Sequence, residues 1–223
     1  MSVTSLPTSP DGRNAYEVAV YAVHQAAAVI MPRVPEMSRP VAQQSVVVSS
    51  KDGWNNLVTD VDQAAEAAII TIVGEAFPEH GILAEESGAR EGTTNYTWYI
   101  DPIDGTRNFA SGIPQIAVNL ALAHNRHIVM GITYDPIRNE MFHAVEGDGA
   151  FINEQPMHIG DKTTLREAIV GVDMGYIDDK GKMLLNMLSD VWPDMQSIRM
   201  IGSAALGIAY AAAGRFEVYA HHH

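Results

Sequence analysis

Two carboxylates three residues apart give the strongest chemical signal in the chain. Asp101 and Asp104 follow the apolar run 98–100, with Pro102 between them and Gly105 directly after. An apolar strand that ends in carboxylates brings them to a sheet edge, proline stiffens the backbone, and glycine permits a close turn. A D-x-x-D-G pattern is also common in ordinary turns. The pair alone therefore leaves both a turn and a binding site open.

Further acidic residues lie at the boundaries of apolar elements. Glu85 and Glu86 follow the apolar run 81–84, and Asp60 and Asp62 begin a predicted helix. Carboxylates about 4 Å apart repel by about 4 kcal/mol at an effective dielectric near 20, so a cluster of them requires protons or cations. Because the chain has no cysteine, oxygen ligands would favour magnesium, manganese or calcium over zinc.

The elements that must position these residues follow from hydrophobic periodicity. We predict helices at 13–31, 61–76, 179–189 and 203–213, and strands at 81–84, 98–100, 117–123, 128–134, 140–145, 150–152, 169–173, 196–200 and 216–219. Thr59 or Asp60 would cap the second helix, which places Asp62 in its first turn. The central strands predict an antiparallel meander, and the whole order predicts layered α/β (α+β) architecture.

Some segments carry structural predictions only. Met183, Leu184 and Met187 are predicted to fill the core from the third helix. Residues 32–56 contain three prolines and a valine run, so we expect an irregular or partly extended, mobile segment. By domain, we expect a flexible tail over 1–12, a helix pair and antiparallel sheet over 13–160 that carry most ligands, and a C-terminal α/β part over 161–223.

Composition excludes several classes of protein. The 223 residues include 14 Lys plus Arg and 27 Asp plus Glu, a net charge of −13, which argues against a nucleic-acid partner because phosphate backbones are bound by clustered cations. With 47% hydrophobic residues, the chain should form a packed core. No secretion signal or membrane span is visible. We therefore expect a cytoplasmic protein with no membrane partner.

The motifs together resemble the inositol monophosphatase family of magnesium-dependent, lithium-sensitive phosphatases. The resemblance is carried by four segments, at 57–62, 84–87, 98–109 and 202–205, in the family's order and near its spacing. It implies alternating αβαβα layers and a homodimer. It also implies two or three magnesium ions per site, with manganese as a substitute and lithium as an inhibitor.

The resemblance also implies individual roles. Glu85, Asp101, the carbonyl of Ile103 and Asp104 would bind the metal ions. Thr106 and Asp62, with Glu85, would serve catalysis by orienting the attacking water. The backbone amides of Gly105 and Thr106 would hold the phosphate, and substrate would also contact the start of a later helix, at Gly202, Ser203 and Ala204.

Several points stay open from the sequence. Arg107 replaces the second Thr or Ser of many relatives, and would either contact substrate phosphate or point outward. Family members continue with a W-D-x-A-A-G-like segment that completes the second metal site, so we expect the C-terminal part of the fold to be missing from these residues. His221 lies near a position where relatives often carry a substrate-binding Glu.

Function is therefore predicted as hydrolysis of inositol monophosphate or a related small sugar or polyol phosphate, making the protein a phosphoric monoester hydrolase. Histidinol phosphate, fructose 1,6-bisphosphate and 3′-phosphoadenosine 5′-phosphate are alternative substrates. An alternative of another class is a metal-binding regulatory or interaction protein with weak or no hydrolysis.

Overall fold

The computed structural model describes residues 5–34, 46–50, 57–175 and 177–221. The described helices are α1 Ala15–Ile30, α2 Asp60–Ala76, α3 Thr106–Ala110, α4 Asp178–Val191 and α5 Ala204–Ala212, with one 3₁₀ turn at Leu165–Glu167. The strands are β1 Val48–Ser50, β2 Leu57–Thr59, β3 Gly81–Ala84, β4 Gly88–Arg90, β5 Tyr96–Asp104, β6 Ala117–His124, β7 His127–Asp135, β8 Glu140–Val145, β9 Gly149–Ile152, β10 Gln155–Pro156, β11 Ile169–Asp173, β12 Ser197–Met200 and β13 Val218–His221.

The two long N-terminal helices both begin at a capping box, in which the cap residue and the third helical residue exchange hydrogen bonds. Asn14 caps α1 with Glu17, and Thr59 caps α2 with Asp62. The buried faces of α1 and α2 pack against each other and against one face of the large sheet. The sequence prediction of both helices is confirmed to within one or two residues at each end.

The large sheet has eight strands in the order β10-β9-β8-β7-β6-β5-β3-β4. The run from β5 to β10 is antiparallel, as the predicted meander requires. Strand β3, however, pairs parallel with β5, a pairing that local periodicity does not reveal. Because parallel neighbours end at the same edge, the residues that follow β3 lie next to the C-terminal half of β5.

A three-stranded parallel sheet, β12-β11-β13, forms the second β layer. On β11, Val170 and Val172 face α4, where they pack with Leu184 and Leu188. The opposite face of this sheet packs on α5, which in turn contacts the large sheet through a separate apolar cluster. The layers are therefore α1 and α2, large sheet, α5, small sheet and α4, which confirms the αβαβα architecture.

One packing prediction is wrong. Leu184 is 4% exposed as expected, but Met183 is 63% exposed and Met187 is 48% exposed. Helix α4 is the outermost layer and buries a single face, so the methionines beside that face meet solvent.

Two segments are described only in part. Residues 35–45 and 51–56 of the predicted irregular segment 32–56 lie outside the described residues, as do residues 1–4 of the predicted tail. The rest of the tail contains a turn in which the Ser9 hydroxyl donates to the carbonyl of Arg13 at 2.8 Å. Flexibility of 1–12 and the division at residue 160 stay predictions.

Candidate active site

The two key aspartates lie at the C-terminal end of β5, where its pairing with β6 is irregular. Asp101 is opposite Asn119, and the register shifts before Asp104 pairs with Ala117. Pro102 lies in this interval, and proline has no N–H to donate to a β ladder. The regular β pairing is therefore interrupted between Asp101 and Asp104, just before the turn at Gly105.

Glu85 reaches the same edge from β3. Its backbone N–H donates to the carbonyl of Ile100 at 3.0 Å. The following turn is held by Glu66 of α2, whose carboxylate accepts from the N–H of Glu86 at 2.7 Å and of Ser87 at 2.8 Å. Glu66 is only 2% exposed. This residue positions Glu85 through the turn, and the sequence analysis missed it.

Asp101 is in an electrostatically unfavourable position. Its Oδ2 accepts from Asn119 Nδ2 at 3.2 Å, whereas its Oδ1 is buried and has no hydrogen-bond partner. Burial raises the pKa of Asp101 well above its ordinary value, and the charges of Asp104 and Glu85 and a hydrogen bond with Glu85 raise it further. Without a cation, this pair of carboxyl groups is stabilised by holding a proton.

Asp104 is oriented by the start of α5. Its Oδ2 accepts from the hydroxyl of Ser203 and from the N–H of Ala205, the latter at 2.9 Å. Burial raises the pKa of Asp104, and these hydrogen bonds act in the opposite direction. Ser203 is also the N-cap of α5, since its side chain accepts from Leu206 N–H at 3.3 Å. One hydroxyl therefore connects the helix start to the carboxylate.

Asp62 forms a second centre on the other side of the β5 end. Its Oδ2 accepts from the hydroxyl and the N–H of Thr59, and its Oδ1 accepts from the hydroxyl of Thr106 at 3.2 Å. The same Thr106 hydroxyl lies 3.0 Å from the carbonyl of Ile103. Burial raises the pKa of Asp62, against the effect of these hydrogen bonds. The predicted Asp62 and Thr106 pair is thus in contact.

Gly105 joins the two centres at a close backbone approach. Its φ of +90° is a left-handed conformation, and a Cβ there would lie 2.9 Å from the carbonyl oxygen of Gln115 and 3.1 Å from that of Gly202. Gly202 also has a positive φ, of +73°, and a Cβ there would meet the Asn108 side chain at 2.7 Å. Both positions therefore require glycine.

The residues present fit a hard divalent cation. Asp101 Oδ1 is a buried oxygen without a partner, the side chains of Glu85 and Asn119 add further oxygens, and these three residues line a cavity of about 680 Å³. Within the described ranges, no three His, Asp or Glu side chains already form a ligating group. Asp104 is instead directed to the start of α5, where its Oδ2 accepts from Ser203 and Ala205.

The remaining predicted site residues are also located. Gly202, Ser203 and Ala204 lie at the start of α5, beside Asp104 and Gly105. Arg107 lies on α3 and borders a smaller cavity with Lys182 and Asp178. His221 ends β13, in register with Asp173. The catalytic, metal and substrate roles of all these residues stay predictions.

Comparison with known proteins identifies the class. The model of the inositol monophosphatase family matches residues 11–223, and the chain therefore belongs to that family.

Within the described part of the chain, no helix has the length and apolar content that a bilayer crossing requires.

The chain is similar to relatives of two kinds. It is 37% identical over 181 residues to the Nus factor SuhB of Haemophilus influenzae, covering 79% of this chain and 67% of the relative. It is 36% identical over 172 residues to the fructose-1,6-bisphosphatase/inositol-1-monophosphatase of Thermotoga maritima, covering 77% and 64%. The chain spans 62% to 67% of the length of such relatives.

Solved structures agree with the fold. The extragenic suppressor protein suhB of Bartonella henselae superposes with a TM-score of 0.82 at 33% identity, covering 90% of this chain and 75% of that one. An IMPase/NADP phosphatase complexed with NADP and Ca²⁺ gives a TM-score of 0.75 at 25% identity, over 90% and 72%. A divalent cation is thus bound in a structure of this family.

Proposed function

We propose that the protein is a magnesium-dependent phosphatase that hydrolyses inositol monophosphate or a related small sugar or polyol phosphate. The observation that carries this proposal is the buried, unpartnered Oδ1 of Asp101 beside the carboxylates of Glu85 and Asp104. Such an arrangement is unfavourable in the protein alone and becomes favourable when a dication is present.

Glu85, Asp101, the carbonyl of Ile103 and Asp104 would hold the cations. When bound, magnesium supplies positive charge that stabilises a transferring phosphoryl group and lowers the pKa of water. Ile103 can serve although its carbonyl accepts from Thr106, because a carbonyl oxygen has two lone pairs. Manganese would substitute, and lithium would inhibit.

The protein's own residues would align the nucleophile. The Thr106 hydroxyl and Asp62, already in contact at 3.2 Å, would orient a water for in-line attack on phosphorus and receive its proton. An oxygen–phosphorus bond forms as the ester bond breaks, and the departing alkoxide takes a proton from solvent. The N–H groups of Gly105 and Thr106 would hold the phosphate, and Gly202, Ser203 and Ala204 would border the alcohol.

The substrate, assembly and location are also proposals. Inositol monophosphate is the first substrate to test, followed by fructose 1,6-bisphosphate, histidinol phosphate and 3′-phosphoadenosine 5′-phosphate. The Thermotoga maritima relative is named for both inositol and fructose phosphates, which supports testing the first two together. We propose a cytoplasmic homodimer.

A second candidate is an interaction protein in which hydrolysis is weak or lost. It is favoured by the name Nus factor SuhB, which relatives from Haemophilus influenzae and Pasteurella multocida carry at 37% and 39% identity. The Glu85 and Asp101 centre would then bind a cation for structural reasons.

Phosphate release separates the two candidates. The panel of four substrates is incubated with the protein and magnesium, with and without lithium, and with an Asp101→Ala variant as the matched control. Release that requires magnesium, falls with lithium and disappears in the variant supports the phosphatase. Magnesium binding without release from any substrate favours the interaction protein.

A further inference from the structure

Asp173 lies at the C-terminal end of β11, in the small sheet, and is 8% exposed. Its Oδ1 accepts from the N–H of Gly202 at 2.6 Å, and its Oδ2 accepts from the hydroxyl of Tyr219 at 2.9 Å. Both carboxylate oxygens therefore have a donor from the chain itself. In this respect Asp173 differs from Asp101, and it needs no cation.

The turn that Asp173 anchors is in direct contact with the candidate site. Gly202 precedes the helix cap Ser203, whose hydroxyl donates to Asp104. The Gly202 backbone is also enclosed by Asn108, whose Nδ2 donates to the carbonyl of Ile201 at 2.8 Å. A displacement of this turn would move the donors of Asp104 and open the close approach at Gly105.

Tyr219 fixes the carboxylate from the far side. Its ring lies against α5, where a Cβ on Gly207 would come within 2.1 Å of the ring, and against β11 near Gly171. Burial raises the pKa of Tyr219 strongly, and the neighbouring charge of Asp173 adds to the effect. The hydroxyl thus stays protonated and remains a donor to the carboxylate.

We propose that Asp173 is a positioning residue for the candidate site. Its carboxylate holds the turn at 201–203 so that the start of α5 presents Ser203 and Ala205 to Asp104. The proposal rests on the proposed function for the activity that this arrangement serves. The small sheet would then contribute to the chemistry at the edge of the large sheet by fixing the position of the α5 start.

The geometry of the contacts predicts which substitutions are tolerated. In Asp173→Asn, the amide oxygen can accept from Gly202 while the amide nitrogen donates to the Tyr219 oxygen. In Asp173→Leu, a side chain of similar size can make neither bond. Tyr219→Phe removes the outer bond and leaves the Gly202 bond intact, so its effect should be intermediate.

Amide hydrogen exchange measured by mass spectrometry tests the proposal without relying on activity. We expect Asp173→Leu to accelerate exchange in 200–206 by about tenfold, because one charged backbone hydrogen bond is lost, and Asp173→Asn to stay within about threefold of the parent. The matched control is Asp135→Leu. Asp135, like Asp173, is a buried carboxylate that accepts from the backbone, in this case from the N–H groups of Ile137 and Arg138. This control variant should not change exchange in 200–206.

Kinetics on the most active substrate give a second readout. In Asp173→Leu, kcat should fall about 10- to 100-fold with KM within about threefold, because misplaced groups slow the chemical step more than they weaken binding. Asp173→Asn should restore most of kcat. A general loss of stability would instead be matched by Asp135→Leu and would not be rescued by asparagine.

The outcomes are distinct. If the parent shows no hydrolysis, the proposed function fails, and exchange still decides whether Asp173 anchors the turn. Exchange in 200–206 that is unchanged in Asp173→Leu, or no faster than in Asp135→Leu, overturns the proposal. If Asp173→Leu does not fold, Tyr219→Phe decides: faster exchange in 200–206 than in 178–191 supports the anchor, and equal change in both segments refutes it.

Discussion

Two carboxylates on either side of the β5 end have opposite surroundings. Asp62 is 1% exposed, and each of its carboxylate oxygens accepts a hydrogen bond: Oδ2 from Thr59 and Oδ1 from Thr106. Asp101 has one oxygen without any partner, and its close neighbours Glu85 and Asp104 add negative charge. The hydrogen bonds of the Asp62 centre are complete on folding, whereas the Asp101 centre keeps a buried carboxylate oxygen without a hydrogen bond.

This difference in hydrogen bonding distinguishes a carboxylate that stabilises the fold from one that is available to bind a ligand. A buried polar group without a partner costs about 1–3 kcal/mol, and more when it is charged. A cation that binds at such a group offsets this cost and thereby stabilises the folded state. Asp62 instead gains its stability locally, through the capping box of α2.

The largest effect is expected from Asp104→Asn. This change removes the charge of a proposed metal ligand but keeps an oxygen that can accept from Ser203 and Ala205. We expect kcat to fall by about 1,000-fold with little change in thermal unfolding, because charge neutralisation at phosphorus depends on the bound cations. Steady-state kinetics and circular dichroism measure both. Parental turnover in this variant would show that Asp104 is not a ligand.

The next effect is expected from Thr106→Ala, which removes the hydroxyl between Asp62 and Ile103. We expect kcat to fall about 100-fold, because proton transfer and water alignment are lost. Magnesium affinity, measured by calorimetry, should stay within about threefold, since the ligands remain. Thr106→Ser is the control and should retain most activity. A loss of magnesium binding in Thr106→Ala would give Thr106 a different role.

Paired alanine variants test the comparison directly in the absence of metal. Asp62→Ala should lower the free energy of unfolding by about 1–2 kcal/mol, because it breaks the capping box. Asp101→Ala should leave it unchanged or raise it by up to about 1 kcal/mol, because it relieves repulsion at an unpaired site. Urea denaturation in the presence of a chelator measures both values.

Addition of magnesium should affect the two alanine variants differently. The parent and Asp62→Ala should gain thermal stability with magnesium, whereas Asp101→Ala should gain little, because binding to the folded state alone raises stability. Equal destabilisation of the two variants without metal would mean that Asp101 is as fully satisfied as Asp62.

The smallest effect concerns pH. Burial lowers the pKa of His80 to about 4 from an ordinary 6.5, and its Nδ1 accepts from Trp98 Nε1 at 3.2 Å. The unfolded chain therefore binds a proton more readily, and stability falls as pH decreases from 6.5 towards 4. We expect a loss of about 1.5 kcal/mol between pH 6.5 and pH 5.

The His80→Gln variant isolates this contribution, since the carboxyl groups titrate in the parent and the variant alike. The difference between their denaturation midpoints should shrink as pH falls from 6.5 to 5. A constant difference would show that His80 does not titrate as its burial implies. Comparisons of Asp62 and Asp101 should therefore be made above pH 6.5.

The sequence predicted the parts of the site that lie close together along the chain. Asp101, Asp104 and Gly105 lie within five consecutive residues, and Thr59 and Asp62 belong to one helix start, so their types and spacing were informative. Glu66 was missed because a single Glu in a helix usually faces solvent. A useful signal was available: Glu66 lies one turn after Asp62, on the same buried face.

Apart from the Asp62 and Thr106 pair, which the family resemblance implied, the following contacts between distant segments were not predicted. The parallel pairing of β3 with β5, and the bonds from Ser203 to Asp104 and from Gly202 to Asp173, join residues that are 16 to 99 positions apart in sequence. Exposure of Met183 and Met187 likewise depends on which layer is outermost. Periodicity predicted the elements, and only tertiary packing decided their neighbours.

The close approach of Gly105 to Gly202 has a consequence for how the molecule can evolve or be engineered. A side chain at Gly105 would come within 2.9 Å of the Gln115 carbonyl oxygen and 3.1 Å of the Gly202 carbonyl oxygen, so it would displace the turn that precedes Ser203. Substitutions that change substrate specificity should therefore be sought in the loops around Gly105 and Gly202, and the two glycines themselves should be kept.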